Sequence, residues 1–305
     1  MIEKSKIAFR SSNLTNLLII SVVLLLVSAC VFNSSKESEK VDSKTSPSAT
    51  TTPPANSSNT KSNSDGLTKK VDKGDFLVKH LDVKNSRYNE IDQKIKNEKL
   101  LEKAADDLNK ALSLPNDIYL RSKDCGEPNA EFDPSIQSIT VCYELMEHFY
   151  DLYRSEGMKP DDADKKMFAA VRFAFLHEVG HALIYNYNLP VVGNEEDAAD
   201  RCSSYINIEE LGDDGVKAVL AAADAFNIES KQSAATKRDM ADEHLLQEQR
   251  FYNSLCMIYG SNSAKYEYFV TDGYLPKERA VRCPGEYQRT VDSWINLLKP
   301  WRKDK

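Results

Sequence analysis

The stretch that decides the fold runs from residue 167 to residue 200 and reads MFAAVRFAFLHEVGHALIYNYNLPVVGNEEDAAD. Its first part lacks proline and is apolar enough to be buried, which predicts one long helix that ends at about Tyr187, before Pro190. Asp161 or Asp162 can cap the start of this helix, because an aspartate oxygen accepts hydrogen bonds from free helix N–H groups. We therefore expect a buried helix to carry the stretch.

A second helix is predicted directly after a short turn. Asn194 is a suitable N-cap, and three acidic residues follow it where the positive end of the helix dipole favours them, namely Glu195, Glu196 and Asp197. The turn at residues 190–193 allows this helix to pack beside the first one. A carboxylate of the second helix would then lie against the first.

Two histidines of the long helix point to a metal site, His177-Glu178-Val179-Gly180-His181. Residues four positions apart share one helix face, so His177 and His181 can present ring nitrogens to one ion, whereas Glu178 is rotated by about 100°. Neutral imidazoles bind zinc, and a carboxylate beside the metal can take a proton from a metal-activated water. The motif predicts Zn²⁺ as the cofactor and Glu178 as the catalytic base.

A third ligand from the second helix would complete a His₂Glu site with one open position. Spacing alone leaves Glu195 and Glu196 as alternatives. The two helices resemble the gluzincin metallopeptidases, the thermolysin-like group, whose second helix has a zinc-binding Glu and, four residues later, an Asp that hydrogen-bonds a ligating His. Glu196 and Asp200 match that pair, whereas Ala199 follows Glu195 at this spacing. The resemblance implies Glu196 as the ligand and Asp200 as the residue that orients the imidazole.

A narrower resemblance covers residues from about 120 to 300, to a bacterial family known only as candidate metallopeptidases. The residues that carry it are Cys125-Gly126, Asn129-Ala130, Cys142-Tyr143-Glu144, the segment 177–200, His244, Gln249-Arg250-Phe251-Tyr252, Cys256, Tyr259-Gly260, Leu275-Pro276, Arg279-Ala280 and Cys283-Pro284. This resemblance implies zincin chemistry and a zincin-like domain, and it names no substrate.

Two further roles follow from the resemblance to thermolysin-like enzymes. In those enzymes, an Asn-Ala pair on an edge strand binds the substrate backbone. Asn129-Ala130 matches this pair, although the same segment can also be interpreted as a plain turn. His244 stands where such enzymes keep a donor for the oxyanion, although a structural histidine is an equal reading. Arg250 and Tyr252 are weaker candidates for the same donor role.

The remaining pattern predicts an α+β domain that is mostly helical with a small sheet. Apolar residues at helical spacing predict an amphipathic helix over 91–112, and alternation predicts a short strand within 135–145. Further helices are predicted over 213–226, 238–258 and 286–298. His80 and His148 belong to no motif and are taken as structural.

The N-terminus is predicted to be a lipoprotein signal peptide followed by a linker. Residues 1–30 combine a basic start, a short apolar run and Val27-Ser28-Ala29-Cys30, which resembles a lipobox whose Cys30 accepts lipid. In residues 31–70, sixteen of the 40 residues are Ser or Thr, which predicts a disordered linker. Residues 71–305 remain as one domain. We therefore expect an exported lipoprotein that is anchored to a bacterial membrane in the cell envelope.

Cysteines outside the cytoplasm are expected to oxidise in pairs. The preferred disulfides are Cys125 with Cys142 and Cys256 with Cys283, among the pairings that the cysteines allow. Cys202 lies on the second helix, two residues after Asp200, and is expected to be a small buried residue. It does not have the spacing of a zinc-ligand pair.

Composition limits the function classes that remain. The formal net charge of −7 over 305 residues argues against nucleic-acid binding, and a single apolar run excludes a multispanning membrane protein. The sequence favours a zinc metallopeptidase that acts on peptide or protein substrates and contacts the membrane through its lipid anchor. Two alternatives stay open: a catalytically silent lipoprotein that uses the zincin scaffold for binding, and an amidohydrolase with a non-peptide substrate.

Overall fold

The computed structural model describes residues 69–232 and 235–303. The predicted signal peptide, including Cys30, lies outside the described residues, and so does the linker up to residue 68. Export and lipid anchoring therefore stay predictions. The described residues make up most of the domain predicted for residues 71–305.

Helices dominate the described residues, and four short strands form one small sheet, which confirms the predicted mostly helical α+β fold. The strands are β1 (Phe76–Val78), β2 (Ile118–Lys123), β3 (Ala130–Asp133) and β4 (Ser138–Cys142). The helices are α1 (Asn89–Asn97), α2 (Leu100–Ala111), α3 (Tyr143–Ser155), α4 (Pro160–Tyr187), α5 (Glu195–Tyr205), α6 (Leu211–Gln232), α7 (Lys237–Ala241), α8 (Gln247–Ser261), α9 (Tyr268–Thr271), α10 (Lys277–Ala280) and α11 (Cys283–Leu298). A 3₁₀ turn precedes α1, and a π-helical turn joins α5 to α6.

The long helix α4 forms as predicted, with one difference at its start. Lys159 is the N-cap and Pro160 occupies the first turn, where proline lacks only an N–H that has no partner in a helix. Asp161 and Asp162 therefore lie inside the first turn, near the positive end of the dipole, and do not cap the helix. At the other end, Asn188 adopts a left-handed conformation with φ 50° and ends the helix.

Helix α4 lies at the centre of the domain. It packs against α3, α5 and α6 and also contacts β3 and β4. Its length and composition would suit a membrane span, but 67% of its most apolar window is buried inside the domain. Burial on several sides explains why its sequence is apolar around the circumference and not amphipathic.

The sheet has the strand order β1-β2-β4-β3. Strands β1, β2 and β4 are parallel, and β3 runs antiparallel to β4 with Ala130 opposite Val141 and Phe132 opposite Ile139. Strand β3 is an edge strand and contacts α4. Within the described residues, β3 thus pairs with β4 alone and lies near the helix that carries the two histidines.

Close contact between α4 and α5 depends on Gly180. A Cβ atom at this position would lie 3.1 Å from both the Cα of Ala199 and the Cβ of Cys202, closer than almost all real contacts. Cys202 is buried and has no disulfide partner, as expected for a small core residue. The three small residues let the second helix approach the first, which brings its carboxylates within reach of the histidines.

Two predicted helices are interrupted in the structure. The helix predicted over 91–112 is two helices, because Lys99 adopts a left-handed conformation with φ 53° and each helix buries its own apolar residues. The helix predicted over 238–258 is interrupted at 242–246. There the side chains of Asp242 and Gln249 accept hydrogen bonds from main-chain N–H groups, which competes with helical bonding.

The strand predicted within 135–145 is shorter than expected. It begins at Ser138, after a turn in which Gln137 has a left-handed φ of 48°, and it ends at Cys142. Tyr143 is buried like the strand residues before it, but it is the first residue of α3 and not part of the strand. Alternation of apolar residues could not show this change from strand to helix.

Two disulfides form in the preferred pairing. Cys125 binds Cys142, which ties the segment before β3 to the end of β4. Cys256 binds Cys283, which ties α8 to the start of α11. The first bond closes the loop that leads into the edge strand, and the second joins two helices of the core.

Candidate metal centre

Three ligand atoms from two helices converge on one point. The Nε2 atoms of His177 and His181, one turn apart on α4, are 3.1 Å from each other. Glu196 Oε2, from the first turn of α5, lies 3.0 Å from His177 Nε2 and 3.3 Å from His181 Nε2. Among the described residues, these three side chains form a group that could hold a metal ion.

The donor set fits a divalent cation. Bonds of about 2.0–2.1 Å in a tetrahedral site separate the ligand atoms by about 3.3 Å, close to the separations found here. The two imidazole nitrogens and the carboxylate oxygen all direct lone pairs to the same point, which is unfavourable unless positive charge lies between them. His177, His181 and Glu196 are therefore the residues that would hold a metal ion.

Each histidine is oriented by a carboxylate on its other ring nitrogen. Asp200 Oδ1 lies 2.8 Å from His177 Nδ1, and Glu195 Oε1 lies 2.8 Å from His181 Nδ1. A proton on each Nδ1 leaves each Nε2 available as a ligand. Thus Glu196 belongs to the candidate ligand group, whereas Glu195 contacts the other nitrogen of the second histidine, a contact that the sequence did not predict.

Arg250, a weaker candidate for the oxyanion donor, is bound to Asp200 in the structure. Its Nε and Nη2 atoms donate to Asp200 at 2.9 and 2.8 Å, and its guanidinium lies 4.1 Å from the centre of the Phe226 ring. The side chain is 13% exposed, and that of Asp200 is 16% exposed. Arg250 therefore neutralises and holds the carboxylate that orients His177. The arrangement was missed because α5 and α8 are far apart in sequence.

Glu178 lies beside the three ligand atoms without joining them. Its Oε1 is 3.9 Å from His177 Nε2, and the main-chain N–H of Phe132 on β3 favours the charged form of its carboxylate. Burial raises the pKa of Glu178 above its ordinary value, although the neighbouring histidines oppose the change. A carboxylate with a raised pKa takes up a proton more readily than an exposed one.

His244 reaches the site from the segment between α7 and α8. Its Nε2 is 2.9 Å from Glu196 Oε2, and its Nδ1 is 3.1 Å from Asp242 Oδ1. Its ring is stacked with that of His177 at a centroid distance of 5.9 Å. The hydrogen bond to Glu196 raises the pKa of His244. The structure thus brings His244 to the site, on the side of the carboxylate ligand.

The electrostatic balance of the site favours a cation. Burial alone would lower the pKa of His177, but hydrogen bonds to Asp200 and Glu196 outweigh burial and raise it to about 9. Burial would raise the pKa of Glu196, but hydrogen bonds from three histidines hold it well below its ordinary value. In the metal-free protein, protons therefore supply the positive charge that a metal ion would replace.

A cavity of about 440 Å³ opens beside these residues. Asn129, Ala130 and Phe132 line one wall, and His244 and Arg250 line another. The apolar side chains that line it include Leu145, Phe149, Ala170, Phe173, Ala174 and Phe226. Asn129 and Ala130 thus lie at the cavity, and Ala130 begins the edge strand and is not part of a plain turn.

The other candidates lie outside this arrangement. His80 pairs with Glu102 at 2.8 Å, and His148 pairs with Glu229 at 2.7 Å. Tyr252 lines a second cavity, next to Leu245 and Arg279. None of these three contributes a ligand atom to the group formed by His177, His181 and Glu196.

The fold and the site together define a mostly helical α+β domain with a candidate His₂Glu metal centre. The model of one family, DUF4344, which is described as "Putative metallopeptidase", matches residues 80–298. The match covers most of the chain, and the protein belongs to this family. No curated protein and no solved structure matches the chain.

Proposed function

We propose that the protein is a zinc-dependent peptidase of gluzincin type that cleaves peptide bonds in the bacterial cell envelope. One observation carries the proposal: two imidazole nitrogens and the Glu196 carboxylate converge within 3.3 Å, with the Glu178 carboxylate beside them. Membership of the metallopeptidase family supports the coarser part of the proposal. The choice of zinc rests on the His₂Glu ligand set, which is that of catalytic zinc sites with one open position.

A zinc ion bound by His177, His181 and Glu196 would polarise a substrate carbonyl and make a water molecule more acidic. Glu178 takes the proton from the attacking water and passes it to the leaving amine. Burial raises the pKa of Glu178, which favours uptake of this proton by the carboxylate. Asp200 and Glu195 hold the imidazoles in the tautomer that binds metal.

The edge of β3 is the proposed binding site for the substrate backbone. Asn129 accepts a hydrogen bond from the Cys142 N–H, and hydrogen-bonded pairs alternate along an antiparallel ladder. The main-chain groups of Ala130 and Phe132 therefore face away from β4. An extended peptide can add to this edge and place one side chain in the apolar cavity.

His244 is the proposed donor to the developing oxyanion. Its side chain contacts Glu196, lines the cavity and is half exposed. A donor at this place stabilises negative charge only as the carbonyl becomes tetrahedral. A metal ion bound to Glu196 Oε2 would weaken the contact between His244 and Glu196, because it would bind the same oxygen atom.

Export and anchoring complete the proposal and rest on the sequence alone. Acylation of Cys30 would hold the chain at the membrane, and the 40-residue linker would let the domain reach about 35 Å from it. Mass spectrometry of the mature N-terminus tests this part: an N-terminal residue other than a lipidated Cys30 refutes it.

Metal analysis and peptide cleavage test the catalytic part. The purified domain should bind one zinc per chain and cleave members of a peptide library. Glu178→Gln should retain zinc and lose cleavage by a factor of at least about 10². Glu102→Gln is the matched control, since Glu102 also pairs with a histidine but lies outside the cavity, and it should remain active.

Other outcomes decide between the remaining functions. Zinc binding without cleavage of any peptide, in a chain with an open cavity, would leave the scaffold as a binding module. Cleavage of N-acyl amides without cleavage of peptides would make the protein an amidohydrolase. An active Glu178→Gln variant would refute the assignment of the base.

A further inference from the structure

His244 differs from the other candidate site residues in how it is held. His177, His181 and Glu196 lie on long, well-packed helices, whereas His244 lies in the non-helical segment 242–246, and its side chain is 48% exposed. Hydrogen bonds within the segment shape it, since Asp242 accepts from the His244 N–H. They do not by themselves hold the segment against the metal-site helices.

Asn194 makes a contact that does so. Its Nδ2 donates to the main-chain oxygen of Glu243 at 2.6 Å, the residue directly before His244. Its Oδ1 accepts from the Asp197 N–H at 3.2 Å and so caps α5. One side chain therefore fixes both the start of the helix that carries Glu196 and the segment that carries His244.

The chemistry of the side chain explains why asparagine serves here. Ser and Asp cap helices about as well as Asn does, so the cap alone does not require an amide. Among these residues only Asn offers, beside the accepting oxygen, an N–H₂ group that reaches a second main-chain oxygen. The contact to Glu243 uses that group.

We propose that Asn194 is a positioning residue that docks segment 242–246 on the N-terminus of α5 and thereby holds the His244 ring at the metal centre. Its catalytic consequence rests on the proposed peptidase function, in which His244 acts on the substrate. The docking itself is a property of the folded chain and can be measured without substrate.

The variant Asn194→Asp isolates the donor. Aspartate has the same shape and caps the helix equally well, but it cannot donate to the Glu243 oxygen. Asn194→Ser removes the amide N–H₂ without adding charge and also keeps a cap; its hydroxyl is on a shorter side chain than the amide that contacts Glu243. Asn85→Asp is the matched control, because Asn85 caps the turn before α1 through the Arg87 N–H, on an element that does not line the cavity.

Hydrogen exchange on the metal-loaded domain measures the docking directly. Amides of segment 242–246 should exchange about two- to tenfold faster in both Asn194 variants, the range that the loss of one net hydrogen bond supports. Zinc content should not change, and Asn85→Asp should exchange like the wild type. Unchanged exchange in both Asn194 variants would overturn the proposal.

A double-mutant cycle measures the consequence for catalysis. Asn194→Asp should lower kcat about two- to tenfold with little change in KM, and it should have no further effect in a His244→Ala background. A purely structural cap would lower activity in both backgrounds, and that result would refute the positioning role. If the wild type cleaves no peptide, the proposed function fails, and the exchange measurement alone decides whether Asn194 docks the segment.

Discussion

Replacement of Asp200 by asparagine is expected to weaken both metal binding and the stability of the fold. The Asp200 carboxylate accepts from His177 Nδ1 at 2.8 Å and from two nitrogens of Arg250 at 2.9 and 2.8 Å. Asparagine has the same size, but it is neutral, and one of its two terminal atoms is a donor. Asp200→Asn therefore weakens the hold on the imidazole and leaves the guanidinium of Arg250 without a counter-charge.

The two effects have different magnitudes. Removing one partner of a buried ion pair costs about 3–5 kcal/mol, and both side chains here are less than one fifth exposed. In a domain of this size that loss lowers Tm by roughly 6–20 °C. The loss of the orienting carboxylate should weaken zinc binding by about 10–100-fold.

A second substitution distinguishes the two effects. Arg250→Met removes the unpaired charge and keeps an apolar side chain against Phe226. The double variant Asp200→Asn, Arg250→Met should regain much of the stability lost in Asp200→Asn. It should not regain zinc affinity, because the imidazole of His177 still lacks its carboxylate.

Two measurements decide the outcome. Thermal melts with a chelator present report the stability of the metal-free fold, and competition with a chromogenic chelator reports zinc affinity. If zinc affinity returns together with stability in the double variant, Asp200 acts only through folding and the reasoning is wrong. Unchanged zinc affinity in Asp200→Asn would also refute it.

Three further predictions concern the same helices and the loop into the edge strand. In the metal-free protein, hydrogen bonds to carboxylates raise the pKa of His177 to about 9, so the stability that they supply is complete below pH ~6.5 and is lost as the pH rises through about 9. Thermal melts in chelator between pH 6 and 10 should show this loss, and a Tm that rises with pH would contradict it. Gly180→Val should lower Tm and weaken zinc binding, because a Cβ at this position would lie 3.1 Å from Cys202 Cβ and overpacking costs about 1–3 kcal/mol. A thermal melt and a zinc titration equal to those of the wild type would exclude tight packing at Gly180. Removal of the Cys125–Cys142 disulfide by alanine at both positions should cost about 3 kcal/mol in urea unfolding, and an unchanged midpoint would show that the bond does not constrain the chain.

Local sequence was sufficient for the parts of the site that lie within one helix. An uninterrupted apolar stretch before Pro190 specifies α4, and Asn194 followed by acidic residues specifies the start of α5. The spacing of His177 and His181 places them on one face of any helix. These features depend on interactions between residues that are close in sequence, so they can be predicted from the sequence alone.

Breaks within helical patterns were harder to predict. Lys99 and the segment 242–246 interrupt stretches whose apolar spacing continues on both sides. The break at 242–246 is what allows His244 to turn towards the metal centre. Apolar periodicity reports which residues are buried, but it does not report where the chain changes direction between two buried faces.

The sequence by itself predicted a helix with two candidate metal ligands, a second acidic helix that follows it and a preferred pairing of four cysteines. The resemblance already implied Glu196 as the ligand. The tertiary structure added that Glu195 binds His181, because both glutamates lie in the first turn of α5 and the rotation of α5 against α4 places each beside a different histidine nitrogen. Contact at Gly180 holds that rotation, and Arg250 and His244 reach the site from α8 and the segment before it. Such positions depend on how helices pack against one another, and packing joins residues that are distant in the chain.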